Sequence, residues 1–210
     1  GLISDATAEN PAEARASSRS RPETKRGKTS MSKKILILST SPRKGGNSDG
    51  LADAFAEGAR EAGHQVEKIV LYDKTIGFCR GCLACQKTLR CVIRDDADAI
   101  AQTMRSAEVI VFATPIYFYE MCGQMKTLLD RSNPLFPSDY AFRDIYLLAT
   151  AADSAESSMD GAVKGLEGWI ACFEKASLRG VVRGTGADGA GTILQVPAAL
   201  KSAFELGRKA

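Results

Sequence analysis

Ile35-Leu36-Ile37-Leu38-Ser39-Thr40-Ser41-Pro42-Arg43-Lys44-Gly45-Gly46-Asn47-Ser48 is the stretch on which the fold turns. Its first four residues form a continuous apolar run, as a strand buried on both faces requires. A polar, glycine-containing turn from Ser39 to Asn47 ends that run. Leu51, Ala54, Phe55, Gly58 and Ala62 then recur at helical spacing along one face. Strand, polar turn and amphipathic helix together are the opening unit of an α/β domain.

Working outward, the same alternation repeats. Strands are predicted at Val66–Leu71, Val109–Ala113 and Ile145–Ala149, with a weaker one near Leu178–Arg183. Asp95 or Asp96 can cap a helix whose inner face is Ala97, Ile100, Ala101 and Met104. Met121, Met125, Leu128 and Leu129 mark a further helix. Ala162, Leu166, Trp169, Ile170 and Phe173 form the stripe of a long one, and Pro197–Gly207 forms the last. The pattern predicts a flavodoxin-like, doubly wound, five-stranded parallel sheet of order 2-1-3-4-5 with helices on both faces.

Composition bounds the function. The chain has 210 residues, 44% hydrophobic and 25% charged, close to a globular average. Its 28 basic residues against 25 acidic ones leave no footprint for nucleic acid. Residues 1–30 are rich in Ala, Ser, Arg, Glu and Pro and have almost no large apolar side chains. They are expected to form a loosely held extension to a domain at 31–210, with Met31 as a start. Outside them the balance is 22 against 21. No run reaches the roughly 18 apolar residues of a membrane span, and no secretory signal is visible. A cytoplasmic protein is the expectation. With His64 as the lone histidine, His-based zinc catalysis and a Ser-His-Asp triad have little support.

Three segments carry chemistry. The turn after the first strand puts Ser41, Arg43, Asn47 and Ser48 at a helix N-terminus, where free N–H groups and the dipole attract phosphate. It is neither a GxGxxG fingerprint nor a Walker loop, and its donors suit a monophosphate. The loop Pro115-Ile116-Tyr117-Phe118-Tyr119 leaves the third strand at the same sheet edge and can line a flat ring. Cys79, Cys82, Cys85 and Cys91 fall within 13 residues, in a long connection. Thiolates are soft ligands, and two short gaps resemble ferredoxin spacing. Reduced thiols and zinc are the other readings of that loop.

The Ser-Pro-Arg-x-x-Gly-Asn-Ser turn, the Pro-Ile-Tyr-Phe loop and the Lys126-x-x-x-Asp130-Arg131 helix resemble the NADPH-dependent FMN reductase and multimeric flavodoxin families. The spacing Cys79-x2-Cys82-x2-Cys85-x5-Cys91 resembles their iron–sulfur flavoprotein branch. The resemblance runs from about Met31 to Thr150, and Thr40 stands where Gly is common. It implies FMN, with its phosphate against Ser41, Arg43, Asn47 and Ser48. The ring would lie against Pro115–Tyr119 and the loop Thr150-Ala151-Ala152. It further implies a [4Fe–4S] cluster on the four cysteines. NAD(P)H or a reduced ferredoxin would be the reductant, and a quinone, a free flavin or another small molecule the acceptor. A homodimer or homotetramer follows from the same likeness. An electron carrier without a substrate of its own is the alternative function. The flavin would carry the chemistry, so no catalytic acid or base is expected.

Overall fold

A computed structural model of the protein describes residues 31–210, so the expectation for residues 1–30 lies outside the described residues. β1 (Lys34–Ser39), β2 (Gln65–Val70), β3 (Val109–Tyr117), β5 (Asp144–Thr150) and β6 (Ser177–Gly184) form a parallel sheet in the order β2-β1-β3-β5-β6. This is the expected winding. A sixth strand was not foreseen: β4 (Glu120–Met121) folds back antiparallel on the end of β3. It extends the third strand's loop into a hairpin rather than changing the topology.

The apolar run works as its period demands, since successive strand residues face opposite ways. Ile35 and Ile37 join Val109, Val111, Tyr146 and Leu148 in one core. Leu36 and Leu38 join Ile110, Phe112, Ile145 and Leu147 in the other. α1 (Asn47–Glu61) and α6 (Pro197–Lys209) cover the first face. α3 (Asp96–Ser106), α4 (Gly123–Arg131) and α5 (Asp160–Ile170) cover the second. There Trp169 packs against Phe112, Phe142 and Phe173 and donates its indole N–H to Ser132.

α1 and α6 cross closely. A Cβ on Gly58 would overlap the Phe204 carbonyl, and one on Gly207 would overlap the Phe55 carbonyl. The long connection after β2 contains one short helix, α2 (Cys85–Thr88). Cys122 is fully buried and Cys172 exposed. His64 follows α1, where burial lowers its pKa and Nδ1 accepts from the Lys33 amide.

Candidate functional site

β1 is the point where the winding reverses, with β2 on one side and β3 on the other. In an open α/β sheet a ligand crevice lies outside the carboxyl ends of the strands at such a point. A cleft of about 160 Å³ lies there. Ser41, Arg43, Gly46 and Asn47 line it from the β1–α1 turn. Pro115, Ile116 and Tyr117 line it from the end of β3, and Thr150 and Ala152 from the end of β5. The loop after β6 adds Ala187, Asp188 and Ala190, which the sequence reading missed.

The turn is built to bring backbone close. Ser41 Oγ accepts from the Arg43 amide at 3.1 Å. A Cβ at Gly46 would stand 2.6 Å from that oxygen, so glycine is needed there. Thr40 replaces the common Gly without leaving a buried hydroxyl unsatisfied, because Oγ1 donates to the Ala113 carbonyl at 2.9 Å. Gly46 caps α1 without a side-chain bond, and the first N–H groups of a helix have no partner within it. Ser48 Oγ, one residue into α1, is buried without a hydrogen-bond partner. Among the described residues the exposed Arg43 guanidinium has no ionic partner.

Asn47 has a different task from the one expected of its side chain. Its Nδ2 donates to the carbonyls of Ala187 and Gly189 at 3.0 and 2.7 Å, and its Oδ1 accepts from the Ile193 amide. The amide therefore ties the β6–α6 loop to the start of α1. Ser48, Phe118, Tyr119 and Ala151 do not line the cleft. Ala151 is buried and bonded to Gly184 and Ala187. Phe118 and Tyr119 are the tip of the β3–β4 hairpin and are exposed. Both have positive φ, 51° and 64°, as a two-residue type I′ turn requires, at a cost of about 1–2 kcal/mol each.

A second cavity, of about 470 Å³, gathers the cysteine loop against the far helices. Cys79, Cys82, Cys85 and Cys91 all line it, with Cys172, Trp169 and Phe173 on the α5 side. Three of the four sulfurs accept a hydrogen bond. Gly81 N donates to Cys79, Asn133 Nδ2 to Cys85, and the Arg131 guanidinium to Cys91. Asp95 caps α3, as expected, and also forms a two-pronged pair with Arg131. Burial pushes its carboxyl up, and Arg131 with the Gly77 and Ala97 amides more than reverses this, leaving it below the ordinary value. Asp98 accepts from the Cys91 amide and from Arg90. Among the described residues no three His, Cys, Asp or Glu side chains converge on one ion position.

The model of the NADPH-dependent FMN reductase family matches residues 33–185. The chain belongs to that family. An iron–sulfur flavoprotein of Methanosarcina thermophila is 30% identical over 65% of this chain and 72% of its own length. One from Archaeoglobus fulgidus is 36% identical over 48% of this chain and 46% of its own length. The chain thus falls in the iron–sulfur flavoprotein branch and spans about half the length of some curated relatives it matches. An NAD(P)H:quinone oxidoreductase from Methanothermobacter marburgensis superposes with a TM-score of 0.66 at 18% identity, over 84% of this chain and 95% of that one. That likeness shows the flavodoxin-like fold. As an FMN reductase family member the chain is a flavoprotein oxidoreductase. No helix among the described residues is long and apolar enough to cross a membrane.

Proposed function

We propose that the chain binds FMN in the cleft and passes electrons from NAD(P)H, or from a reduced ferredoxin, to a quinone, a free flavin or another small acceptor. Support comes from one conjunction at the switch point: an Arg43 guanidinium with no ionic partner among the described residues and a buried Ser48 hydroxyl with no hydrogen-bond partner among them, at the start of α1. Buried hydroxyls are nearly always hydrogen-bonded; although Ser48 is not among the residues lining the cleft, a phosphate oxygen seated on the start of α1 would be its partner. Ser41, Arg43 and the first α1 amides would hold the phosphate. Pro115, Ile116, Tyr117, Thr150 and Ala152 would flank the ring.

FMN, when bound, accepts hydride and releases electrons singly or in pairs. The protein's part is to bind, orient and limit water. At about 160 Å³ the cleft is smaller than the roughly 300–1,000 Å³ usual for ligands of this size. One side of the ring would stay open to a nicotinamide, an acceptor or a second subunit. The exposed aromatic hairpin at Phe118 and Tyr119 favours assembly as a homodimer or homotetramer. Cytoplasmic location fits reduced, clustered thiols.

The same reading places a [4Fe–4S] cluster on Cys79, Cys82, Cys85 and Cys91. Four soft donors around one cavity, three of them accepting N–H bonds, fit such a group. When bound it would store and relay single electrons. Cys79 and Cys82 are exposed, and this favours a second reading, an electron carrier serving another protein. The test is the full chain purified without oxygen. Its spectrum should carry flavin and iron–sulfur absorbance, and NAD(P)H with a quinone should turn over. Absence of flavin after incubation with FMN refutes the main reading. Flavin with no turnover, yet rapid reduction by a reduced ferredoxin, selects the carrier.

A further inference from the structure

The segment bearing the four cysteines is closed at its base by one buried ion pair. Arg131, the last residue of α4, has no exposed side-chain surface, and Asp95 is almost as buried. The guanidinium holds both Asp95 oxygens, at 2.6 and 2.8 Å, and donates to the Gly77 carbonyl at 2.7 Å. Asp95 also accepts from the Gly77 amide. These bonds, with the two that Thr75 and Asp96 exchange, join the two ends of the loop. Closure does not need the guanidinium's further contact with the Cys91 sulfur, at 3.4 Å. Nor does it need Asn133, two residues on, whose amide donates to the Cys85 sulfur at 3.1 Å. Both donors come from the end of α4 and the turn after it, outside the cysteine loop.

An N–H bond to a ligating sulfur draws electron density from it and favours the more electron-rich state. We propose that Arg131 and Asn133 are positioning residues that raise the reduction potential of the iron–sulfur group held by the loop, acting through Cys91 and Cys85. The inference rests on the cluster reading above. Asp95 largely offsets the charge of Arg131, so Arg131 works as a directed donor. Asn133 is neutral and acts by its dipole alone.

The test is a dithionite titration with redox dyes on anaerobic, FMN-loaded, iron-reconstituted full chain, read by visible and electron paramagnetic resonance spectra. Wild type is compared with Asn133→Ala, Asn133→Asp and Arg131→Lys, with iron, FMN and Tm measured for each. Asn133→Ala is expected to lower the reduced-to-oxidised ratio of the cluster about tenfold at a given potential, about 59 mV for a one-electron couple. Asn133→Asp lowers it further, because a carboxylate replaces the donor. Arg131→Lys keeps the charge but not the planar fork, and lowers it as well. The flavin potential, iron content and Tm of the Asn133 variants stay at wild-type values. Equal cluster potentials in wild type and both Asn133 variants overturn the proposal, as does loss of iron from Asn133→Ala at unchanged Tm. If Arg131→Lys does not fold, the Asn133 series decides. A wild-type protein that takes up FMN but no iron refutes the cluster reading itself, and the iron count tells that failure apart.

Discussion

Replacing Asn47 by Ala removes three hydrogen bonds to backbone at Ala187, Gly189 and Ile193. The Ile193 amide belongs to a residue only 1% exposed, so water does not easily take over. At about 0.5–1.5 kcal/mol per bond the loss centres on about 3 kcal/mol. A chain of this size loses about 2–4 °C of Tm per kcal/mol, so Tm should fall by about 6–12 °C. Asn47→Asp should do no better: it keeps an acceptor for Ile193 but sets a carboxylate against two carbonyls. Ala187, Asp188 and Ala190 line the cleft, so FMN affinity should weaken about tenfold in both variants through a loosened wall. Thermal unfolding with and without FMN, and flavin fluorescence quenching, give both numbers. A Tm within 2 °C of wild type, with FMN affinity lost, would show instead that the amide touches the ligand directly; both quantities unchanged would refute the clamp.

Arg43→Ala should weaken FMN about 10–150-fold, the equivalent of about 1.5–3 kcal/mol for a charge-assisted phosphate bond, with Tm of the flavin-free protein unmoved; unchanged affinity sinks the phosphate assignment. Gly207→Ala forces a methyl against the Phe55 carbonyl and should cost about 1–3 kcal/mol in a chemical denaturation curve; a neutral result would mean the two helices separate freely. Burial holds the His64 pKa below its ordinary value of 6.5, with Lys33 acting the same way and Ala210 and Glu108 opposing. The unfolded chain therefore takes up the proton first, and Tm should decline as pH falls below 6.5, a decline that His64→Gln removes. A protein beginning at Met31 should keep its flavin and its Tm, since residues 1–30 hold only Leu2 and Ile3 as large apolar side chains; a marked fall in either would show that they dock on the domain.

The sheet was legible because buried parallel strands write themselves as apolar runs. Ile35–Leu38, Val109–Ala113 and Ile145–Ala149 need no partner to be recognised. β4 was not legible, as it is two residues long and exists only through its pairing with β3. The cleft was half legible. Residues that directly follow strands, such as Ser41, Pro115 and Thr150, inherit their place from the winding. Ala187, Asp188 and Ala190 carry no chemical signal and reach the cleft because Asn47 pulls their loop inward. The same holds for Asp95 and Arg131. As sequence, one is a helix cap and the other the end of a helix; their meeting depends on α3 and α4 lying side by side. Spacing along the chain predicts neighbours within an element but not across two.

The tight crossing of α1 and α6 has a consequence for the order in which a working protein comes into being. α6 lies far along the chain from α1, and its small Ala199, Ala203 and Gly207 cover Phe55 and the alanines of α1. Until that helix docks, one side of α1 stays bare, although α1 and the turn before it precede α6 in the chain. Contacts this distant along the chain form late, because a long loop must close first. A growing chain therefore carries the β1–α1 turn long before the helix that follows it is covered on both sides.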